Sequence, residues 1–270
     1  MSGTSGRYME TDDRYTVPGL VRGLRALQAF SEERRELSVS ELAEVIDVNR
    51  SSAFRIIYTL ETCGFLYKAD GSRRYSLTSR VLDLGFTYLS GLDLLEPSRP
   101  IMQRLRDDIT IACHLVIRQG TDIVFVDRYQ AKGPFTSTVG VGTRWPAHAT
   151  VTGQLLLSDL SDEAIIELYR DYQWSTYTEG TPNSIESLLA CMAEVRGQPA
   201  LISWGYYNPV MAACAAPINR LSDGRMIASV SVSCPLQSFP REEFEGRIRD
   251  KVIHAAHDLS RTLSLNNGNP

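Results

Sequence analysis

Two short stretches of the 270-residue chain carry side chains suited to binding a nucleic acid. The first places polar and basic groups within ten residues: Asn49, Arg50, Ser51, Ser52, Arg55 and Tyr58. The second places three cations close together: Lys68, Arg73 and Arg74. Guanidinium and amide groups can hydrogen-bond to base edges, and cations neutralise phosphates. We therefore predict that the first stretch faces the major groove and that the second contacts phosphates.

The local charge supports this interpretation. Residues 49–80 contain six basic and two acidic side chains, whereas the whole chain has a formal charge of -4. A basic patch on an acidic protein is typical of a surface that binds a polyanion. The alternative, a small helical domain with a solvated basic hairpin, stays open on these residues alone.

The elements around these stretches can hold them in place. Ser38 and Glu41 have the spacing of a capping box, which predicts the start of a short helix. Asn49 is a favoured N-cap for a second helix over residues 50–62, and Gly64 suits the position after its end. Ala53, Ile56, Ile57 and Leu60 form the apolar stripe of that helix, so its polar front end is left exposed.

A basic hairpin follows, with strands predicted at 65–68 and 73–77 around a turn at 69–72. Helical spacing predicts a first helix over residues 18–30. Residues 79–90 form another helical pattern in which Leu82, Phe86 and Leu89 share one face. We interpret residues 79–91 as a linker helix whose stripe packs on a second subunit or on its own chain.

The remaining chain predicts an α+β domain over residues 92–265. Strands are expected at 111–118, 122–128 and 135–139, and a mostly apolar helix is expected at 147–157. Amphipathic helices at 161–172 and 184–195 precede a hairpin of strands 211–219 and 225–233, and a closing helix covers 242–263. Residues 1–16 are polar and mixed in charge, and are predicted to form a disordered arm.

Composition excludes several classes of protein. The five cysteines, at positions 63, 113, 191, 214 and 234, show no metal-binding or disulfide spacing. Neither a signal peptide nor an apolar run of membrane-spanning length is apparent. We expect a cytoplasmic protein without metal, cofactor or membrane partner.

Polar side chains also occur where apolar ones would pack better. Ser229, Ser231 and Ser233 alternate along one predicted strand, so their hydroxyls share a face. Thr150 and Thr152 lie in a segment between Pro146 and an apolar helix. If buried, these hydroxyls need partners, which a small bound molecule, backbone carbonyls or water could supply.

Three segments in order resemble the IclR-type bacterial transcriptional regulators. Residues 37–77 resemble that family's winged helix-turn-helix, and residues 142–153 are similar to its Gly-x-Arg-x-Pro-x-His-Ala-Thr-Ala-x-Gly segment. Residues 215–218 and 228–233 resemble its closing hairpin. The resemblance implies a DNA-binding domain at 17–78 and a GAF/PAS-like effector-binding domain. It further implies a transcriptional regulator that binds double-stranded, pseudo-palindromic operator DNA as a dimer or a dimer of dimers.

By position, the resemblance implies effector contacts from Trp145, Val151, Thr152, Ser203, Ala213, Ser231 and Ser233, with Cys214 as a neighbouring candidate. Two departures bear on the ligand. Gln154 stands where the family often has lysine, and the loop at 203–210 has no acidic residue but three aromatic ones. Aromatic side chains favour flat or apolar ligands, so we expect an aromatic or apolar catabolic metabolite as effector. The same aromatics could instead serve a subunit contact.

A second class of function is the alternative: a metabolite-binding module or hydrolytic enzyme without operator binding. Cys113, Cys214, His114 and His148 could supply a cysteine–histidine pair, but no nucleophile motif surrounds either cysteine. Adjacent residues of a strand also point to opposite faces, which separates Cys113 from His114. We assign no catalytic residue.

Overall fold

The computed structural model describes residues 15–31, 33–131 and 139–266, which form two compact units that divide between Leu92 and Asp93. Most of the arm predicted at 1–16, and most of the strand predicted at 135–139, lie outside the described residues. Among the described residues, no helix is long and apolar enough to cross a membrane.

The first unit is a small helical domain with a three-stranded sheet. Its elements are α1 (Pro18–Gln28), β1 (Glu36–Ser38), α2 (Val39–Val45), α3 (Arg50–Thr62), β2 (Leu66–Tyr67), β3 (Arg74–Leu77) and α4 (Val81–Ser90). The strands are antiparallel in the order β1-β3-β2. The predicted hairpin is therefore the wing, and β1, which the sequence did not predict, extends it.

The caps predicted around α2 and α3 are present. The backbone N–H of Ser38 donates to Glu41 at 2.7 Å, and the N–H of Glu41 donates to the Ser38 hydroxyl at 3.3 Å. The Asn49 side chain accepts from the N–H of Ser52 at 2.8 Å. These bonds satisfy amides that the first turn of a helix otherwise leaves free.

Helix α3 ends as the sequence predicts. Gly64 adopts a φ of +79°, and the N–H of Phe65 donates to the Leu60 carbonyl at 2.8 Å. This closure turns the chain from α3 into the wing. The buried side chains of the unit come from helices and wing alike: Ala26, Leu37, Leu42, Ala43, Ile46, Ala53, Ile57, Leu66 and Tyr75. Helix α3 and the wing are thus held by one core.

The second unit is built on a six-stranded antiparallel sheet in the order β6-β5-β4-β9-β8-β7. Its strands are β4 (Ala112–Gln119), β5 (Asp122–Tyr129), β6 (Arg144–Pro146), β7 (Leu201–Trp204), β8 (Met211–Asn219) and β9 (Met226–Pro235). Its helices are α5 (Leu95–Ile109), α6 (Val151–Leu157), α7 (Asp162–Leu168), α8 (Ile185–Val195), α9 (Arg241–Glu243) and α10 (Arg249–Asn266), with a π-helical segment at Phe244–Ile248.

Helix α6 is buried along its whole length. The helix predicted at 147–157 is divided at Thr150, which has extended backbone and caps α6 by accepting from the N–H of Gly153 at 3.0 Å. A 3-10 turn, Ala147–Ala149, precedes it. A Cβ built on Gly153 would lie 2.2 Å from the Ala147 carbonyl oxygen. Only glycine permits this close contact between the two backbones.

Two further strands were missed by the sequence analysis. Trp145 lies on β6, and Ser203 lies on β7, where it pairs with Ala213. The expected loop before the closing hairpin therefore begins only after Trp204. Both strands are edge strands of three and four residues, too short to show alternation in the sequence.

We predict that Gly153→Ala destabilises the second unit by about 3 kcal/mol or more, because the methyl group would overlap backbone atoms that cannot rotate away. All three tryptophans, Trp145, Trp174 and Trp204, belong to this unit, so denaturant unfolding followed by tryptophan fluorescence reports on it. Gly246→Ala is the control, since nothing lies within 4 Å of its added methyl. Equal unfolding midpoints for the two variants would contradict the prediction.

Candidate DNA-binding surface and effector site

The polar front end of α3 is open to solvent. Asn49, Arg50, Ser51 and Arg55 are exposed, Ser52 is half-buried, and Tyr58 is 60% exposed. The apolar stripe predicted for α3 faces the core instead, with Ala53 and Ile57 fully buried. The cap at Asn49 fixes where the helix begins and so which side chains form its front end.

An exposed aromatic residue on the same helix was missed. Phe54 is 52% exposed and its ring lies 6.4 Å from that of Tyr58, nearly parallel to it. The signal in the sequence was its spacing, because residues four apart share a helix face and both lie off the buried stripe. Phe54 therefore adds an exposed aromatic ring to a surface that is otherwise mostly polar.

The three cations of the wing differ in their surroundings. Lys68 places its ammonium 5.9 Å from the centre of the Tyr75 ring, and Arg73 is exposed. Arg74 is engaged within the unit, since its guanidinium donates to Glu41 at 3.0 Å and to the Glu36 carbonyl at 2.9 Å. Both bonds come from one nitrogen, Nη2, and the nearby carboxylate of Glu41 offsets part of the positive charge that Arg74 offers to a phosphate.

Glu41 joins the wing to the helix cap. Hydrogen bonds from the backbone and side chain of Ser38, and then from Arg74, lower the pKa of Glu41 to about 2. The carboxylate is thus charged at any physiological pH. Arg74 and Ser38 share this one acceptor group, which ties β3 to the start of α2.

In the second unit, one face of the sheet carries the polar side chains expected to bind an effector. We call it the polar face and define it by Ser229, Ser231 and Ser233 with the residues that pair with them across neighbouring strands. Ser233 pairs with Ala213, which pairs with Ser203. The residues directly opposite one another on antiparallel strands share a face, so these candidates lie together.

Helix α6 covers this face. Val151 and Leu155 pack against Ala215, with Leu201 and Ala213 beside them. The Thr152 hydroxyl lies 3.0 Å from that of Ser231, and both residues are buried. The structure thereby brings together the positions expected on α6 and on three strands.

The serine and threonine hydroxyls near the polar face differ in their hydrogen-bond partners. The Ser229 hydroxyl donates to the Ala216 carbonyl at 3.0 Å, and Thr150 caps α6, so both have structural partners. Thr152 and Ser231 bind each other. Only one of the two hydroxyls donates in this pair, so the other keeps its own O–H for a ligand on the polar face.

Trp145 belongs to a run of aromatic contacts beside the polar face. Its ring centre lies 4.8 Å from that of Phe125 and 5.1 Å from that of Tyr207, and Tyr207 lies 4.9 Å from Tyr177. Tyr206 accepts a hydrogen bond at 2.8 Å from Gln154, which also donates to the His148 carbonyl at 2.9 Å. Gln154 thus links α6 to the aromatic segment.

Trp204 is turned toward a different neighbour. Its indole N–H donates to Glu245 at 3.0 Å, and its ring packs on Phe244 at 5.2 Å. The three aromatics of the segment therefore all contact their own chain. Of the two roles expected for them, a wall beside the polar face fits Tyr206 and Tyr207 but not Trp204.

Cys214 requires a correction. It pairs with Val232 and follows Ala213 on β8, so its side chain points to the face opposite that of Ala213. Cys214 is fully buried there and cannot touch a ligand on the polar face. Cys214 was assigned to the effector site because it follows Ala213 in the sequence, but neighbouring residues of a strand point to opposite faces of the sheet.

His114, considered in the sequence only as a catalytic candidate, lies on the polar face directly opposite Ser231 and Arg128. It is 1% exposed, and neither ring nitrogen makes a well-formed hydrogen bond to the described residues. Burial, and secondarily the charge of Arg128, lower its pKa to about 4 against a weaker opposing effect of the Ser231 backbone. The imidazole is therefore neutral at physiological pH.

The lowered pKa of His114 should make the stability of the protein depend on pH. Because the folded pKa lies below the unfolded value of about 6.5, the unfolded chain takes up its proton first as pH falls. Neutral His114 contributes fully above pH 6.5, and its contribution declines as pH falls toward 4. We predict that the stability difference between wild type and His114→Leu changes by about 2 kcal/mol from pH 7.5 to pH 5, measured by tryptophan fluorescence. A constant difference would contradict the buried, neutral state.

Two family models match the chain, one over each unit. The IclR helix-turn-helix domain matches residues 19–70, and the bacterial transcriptional regulator IclR C-terminal domain matches residues 86–261. Among curated relatives, the Pca regulon regulatory protein of Pseudomonas putida is 30% identical over 254 residues, 94% of this chain and 86% of that protein. The regulator KdgR of Escherichia coli is 25% identical over 258 residues, 94% of each chain.

Solved structures agree with the fold. A putative transcriptional regulator from Rhodococcus sp. RHA1 superposes with a TM-score of 0.79 at 28% identity, covering 93% of this chain and all of that one. An IclR homolog from Microbacterium hydrocarbonoxydans, complexed with 4-hydroxybenzoate, gives 0.76 at 22% identity, covering 92% and 99%. With a winged helix-turn-helix in one unit, a sheet covered by α6 in the other and a family match to each, the chain belongs to the IclR family of bacterial transcriptional regulators, DNA-binding proteins controlled by small-molecule effectors.

Proposed function

We propose that the chain regulates transcription by placing the front end of α3 in the major groove of a pseudo-palindromic operator. The observation that carries the proposal is the exposed, capped start of α3 on a core shared with the basic wing. Contacts to bases come from Arg50, Ser51, Ser52 and Arg55, with Tyr58 at the groove edge and Asn49 fixing the helix start. This geometry is typical of a recognition helix.

In the wing, the proposal gives Lys68 and Arg73 the phosphate contacts. Arg74 serves first to hold the wing against α2 through Glu41, since that bond is formed without DNA. Phosphate binding by Arg74 is thus secondary. This division refines the expectation that all three cations act alike.

The effector is proposed to bind on the polar face, against Trp145, Val151, Thr152, Ser203, Ala213, Ser231 and Ser233. The aromatic run from Phe125 through Trp145 to Tyr207 favours an aromatic or apolar metabolite. Two relatives lend support: one is named for the Pca regulon, and one was crystallised with 4-hydroxybenzoate.

The domain boundaries proposed are 17–78 for the DNA-binding domain, 79–91 for the linker helix and 92–265 for the effector domain. Helix α4 buries none of its residues within the chain, and four of its large apolar side chains are exposed: Leu82, Leu84, Phe86 and Tyr88. An apolar surface of this kind needs a partner. We therefore propose a homodimer formed through α4, with a dimer of dimers as the implied assembly on DNA.

The proposal includes no catalytic activity. Burial raises the pKa of Cys113 far above its usual range and that of Cys214 to about 12, the opposite of an activated nucleophile. Both thiols also lie on the sheet face opposite His114. A metabolite-binding module without operator binding is the rival function, and DNA binding separates the two.

Substitutions on α3 and the wing should have different effects on DNA binding. Arg55→Ala removes a groove contact and should cost about 1–3 kcal/mol on the operator while changing binding to unrelated DNA much less. Arg73→Ala should weaken binding to every sequence and reduce the salt slope by about one. Fluorescence anisotropy at several salt concentrations measures both.

Arg170→Ala, at an exposed arginine of the second unit, is the matched control and should bind as wild type does. Wild-type affinity and salt slope in all three variants would reject this docking arrangement. Specific binding lost in Arg73→Ala but kept in Arg55→Ala would reverse the proposed roles of wing and helix.

A further inference from the structure

An aromatic pair lies on the exposed side of α3, away from the core of the first unit. Phe54 is 52% exposed and Tyr58 is 60% exposed, and their rings lie nearly parallel with centres 6.4 Å apart. Ala53 and Ile57 supply the fully buried contacts of α3 with that core. The two aromatic rings therefore belong to the surface that α3 presents to a partner.

The aromatic pair shares its helix face with polar groups proposed to meet DNA. Ser51, Phe54, Arg55 and Tyr58 are separated by the three- and four-residue steps that place side chains on one face, and all four are exposed. Phe54 lies in the half of α3 nearest its capped start, the half with which a recognition helix contacts bases. A base pair reached by Ser51 or Arg55 thus has the Phe54 ring beside it.

A phenyl ring recognises a different part of DNA from its polar neighbours. It has no hydrogen-bonding group, so it cannot bond to phosphates or to the donors and acceptors of base edges. The apolar group that a base pair exposes in the major groove is the C5-methyl of thymine, and phenylalanine is among the side chains that contact it. Packing the ring on that methyl removes apolar area of both groups from water.

The charges around the ring favour DNA over a protein as its partner. Arg50 precedes Phe54 by four residues, Arg55 follows it directly, and the wing of the same unit adds Lys68 and Arg73. All four cations are exposed. Such a group of cations attracts a polyanion, whereas burial against an apolar protein surface would strip water from the guanidinium groups.

We propose that Phe54 recognises thymine in the operator by packing its ring on C5-methyl groups in the major groove, and that Tyr58 supports the ring. Side chains four residues apart on a helix stabilise each other, so the ring is held on this face before DNA binds. The inference rests on the proposed function, which places the front end of α3 in the groove. It adds an apolar contact and a preferred base to the polar contacts of that surface.

The test removes the methyl groups from the DNA and the ring from the protein. Wild type first selects a preferred duplex from a random-sequence library. That duplex is then synthesised with thymine or with deoxyuridine at every A·T pair, so the two forms differ only in their C5-methyl groups. Competition between the two forms, labelled with different dyes, measures their affinity ratio directly, even for a variant that binds weakly.

Wild type should bind the thymine form about tenfold or more tightly, because each buried methyl contributes about fourfold and a pseudo-palindromic site has two half-sites. In Phe54→Ala the ratio should fall below about threefold, whereas Phe54→Leu keeps an apolar side chain and should retain most of the ratio. Arg55→Ala, which removes a polar contact, should weaken binding of both forms and leave their ratio unchanged.

Leu221→Ala is the control for loss of an exposed apolar side chain. Leu221 is 57% exposed and belongs to the second unit, so this variant should keep the wild-type affinity and ratio. Melting temperature identifies variants that fold, and light scattering after size exclusion reports their oligomeric state. Phe54→Gln, which places a polar side chain at the same position, repeats the test if Phe54→Ala fails to fold.

The outcomes separate this inference from the proposed function. A ratio that collapses in Phe54→Ala and survives in Arg55→Ala supports the contact with thymine methyl groups. A wild-type ratio near one, or a ratio that Phe54→Ala leaves unchanged, overturns the contact while α3 remains the DNA-binding helix. Loss of the oligomer in Phe54→Ala with an unchanged ratio also overturns it and assigns the ring to a subunit contact. Failure of wild type to select any sequence overturns the proposed function and this inference together.

Discussion

The second unit depends on the contact between the backbones of Gly153 and Ala147. It joins α6 closely to the 3-10 turn before it, and every residue of α6 is buried, so the side chains of the helix are almost entirely removed from water. Polar residues on such a helix must find partners inside the protein. Thr152 finds Ser231, and Gln154 finds the His148 carbonyl and Tyr206. The polar contacts between α6 and the polar face therefore follow from the burial of one short helix.

This arrangement suggests how a ligand could be sensed. Thr152 and Ser231 join α6 to β9 by one bond between hydroxyls, and the hydroxyl that accepts in this bond keeps its own O–H for a ligand. Gln154, two residues farther along α6, bonds to Tyr206, and the loop that contains Tyr206 follows Trp204, which bonds to Glu245 in the π-helical segment. A ligand changes the balance between two arrangements of these elements only by binding one of them more tightly than the other.

In the first unit, one carboxylate is shared between a helix and the wing. Glu41 accepts from Ser38 at the start of α2 and from Arg74 on the wing, so one carboxylate fixes both the helix start and the strand beside it. The exposed start of α3 is then set by Asn49, whose side chain bonds to Ser52. The surface proposed to bind DNA is thus positioned before DNA arrives.

Local signals in the sequence predicted the local structure well. Four features each depend on only a few neighbouring residues: the caps at Ser38 and Asn49, the left-handed glycine at Gly64 and the alternating serines of β9. The edge strands β6 and β7 were missed because they form only against a partner strand. Placing Cys214 on the polar face was wrong because side chains alternate between the two faces along a strand, and this alternation was not applied to β8.

Contacts between distant residues could not be predicted. Arg74 and Glu41 lie far apart in sequence, and nothing local pairs them. The buried ring nitrogens of His114, which lack a well-formed hydrogen bond, become visible only once burial is known. The roles given to the DNA- and effector-binding residues remain predictions.

The central claim is that a small molecule on the polar face changes the affinity of the protein for DNA. Anisotropy of a labelled fragment flanking the protein's own gene, titrated with protein at fixed salt with and without a saturating aromatic compound, tests it directly. We predict a specific complex whose Kd changes about fivefold or more with one compound, within the usual range of coupling energies. Specific DNA binding that no bound compound alters would contradict this prediction.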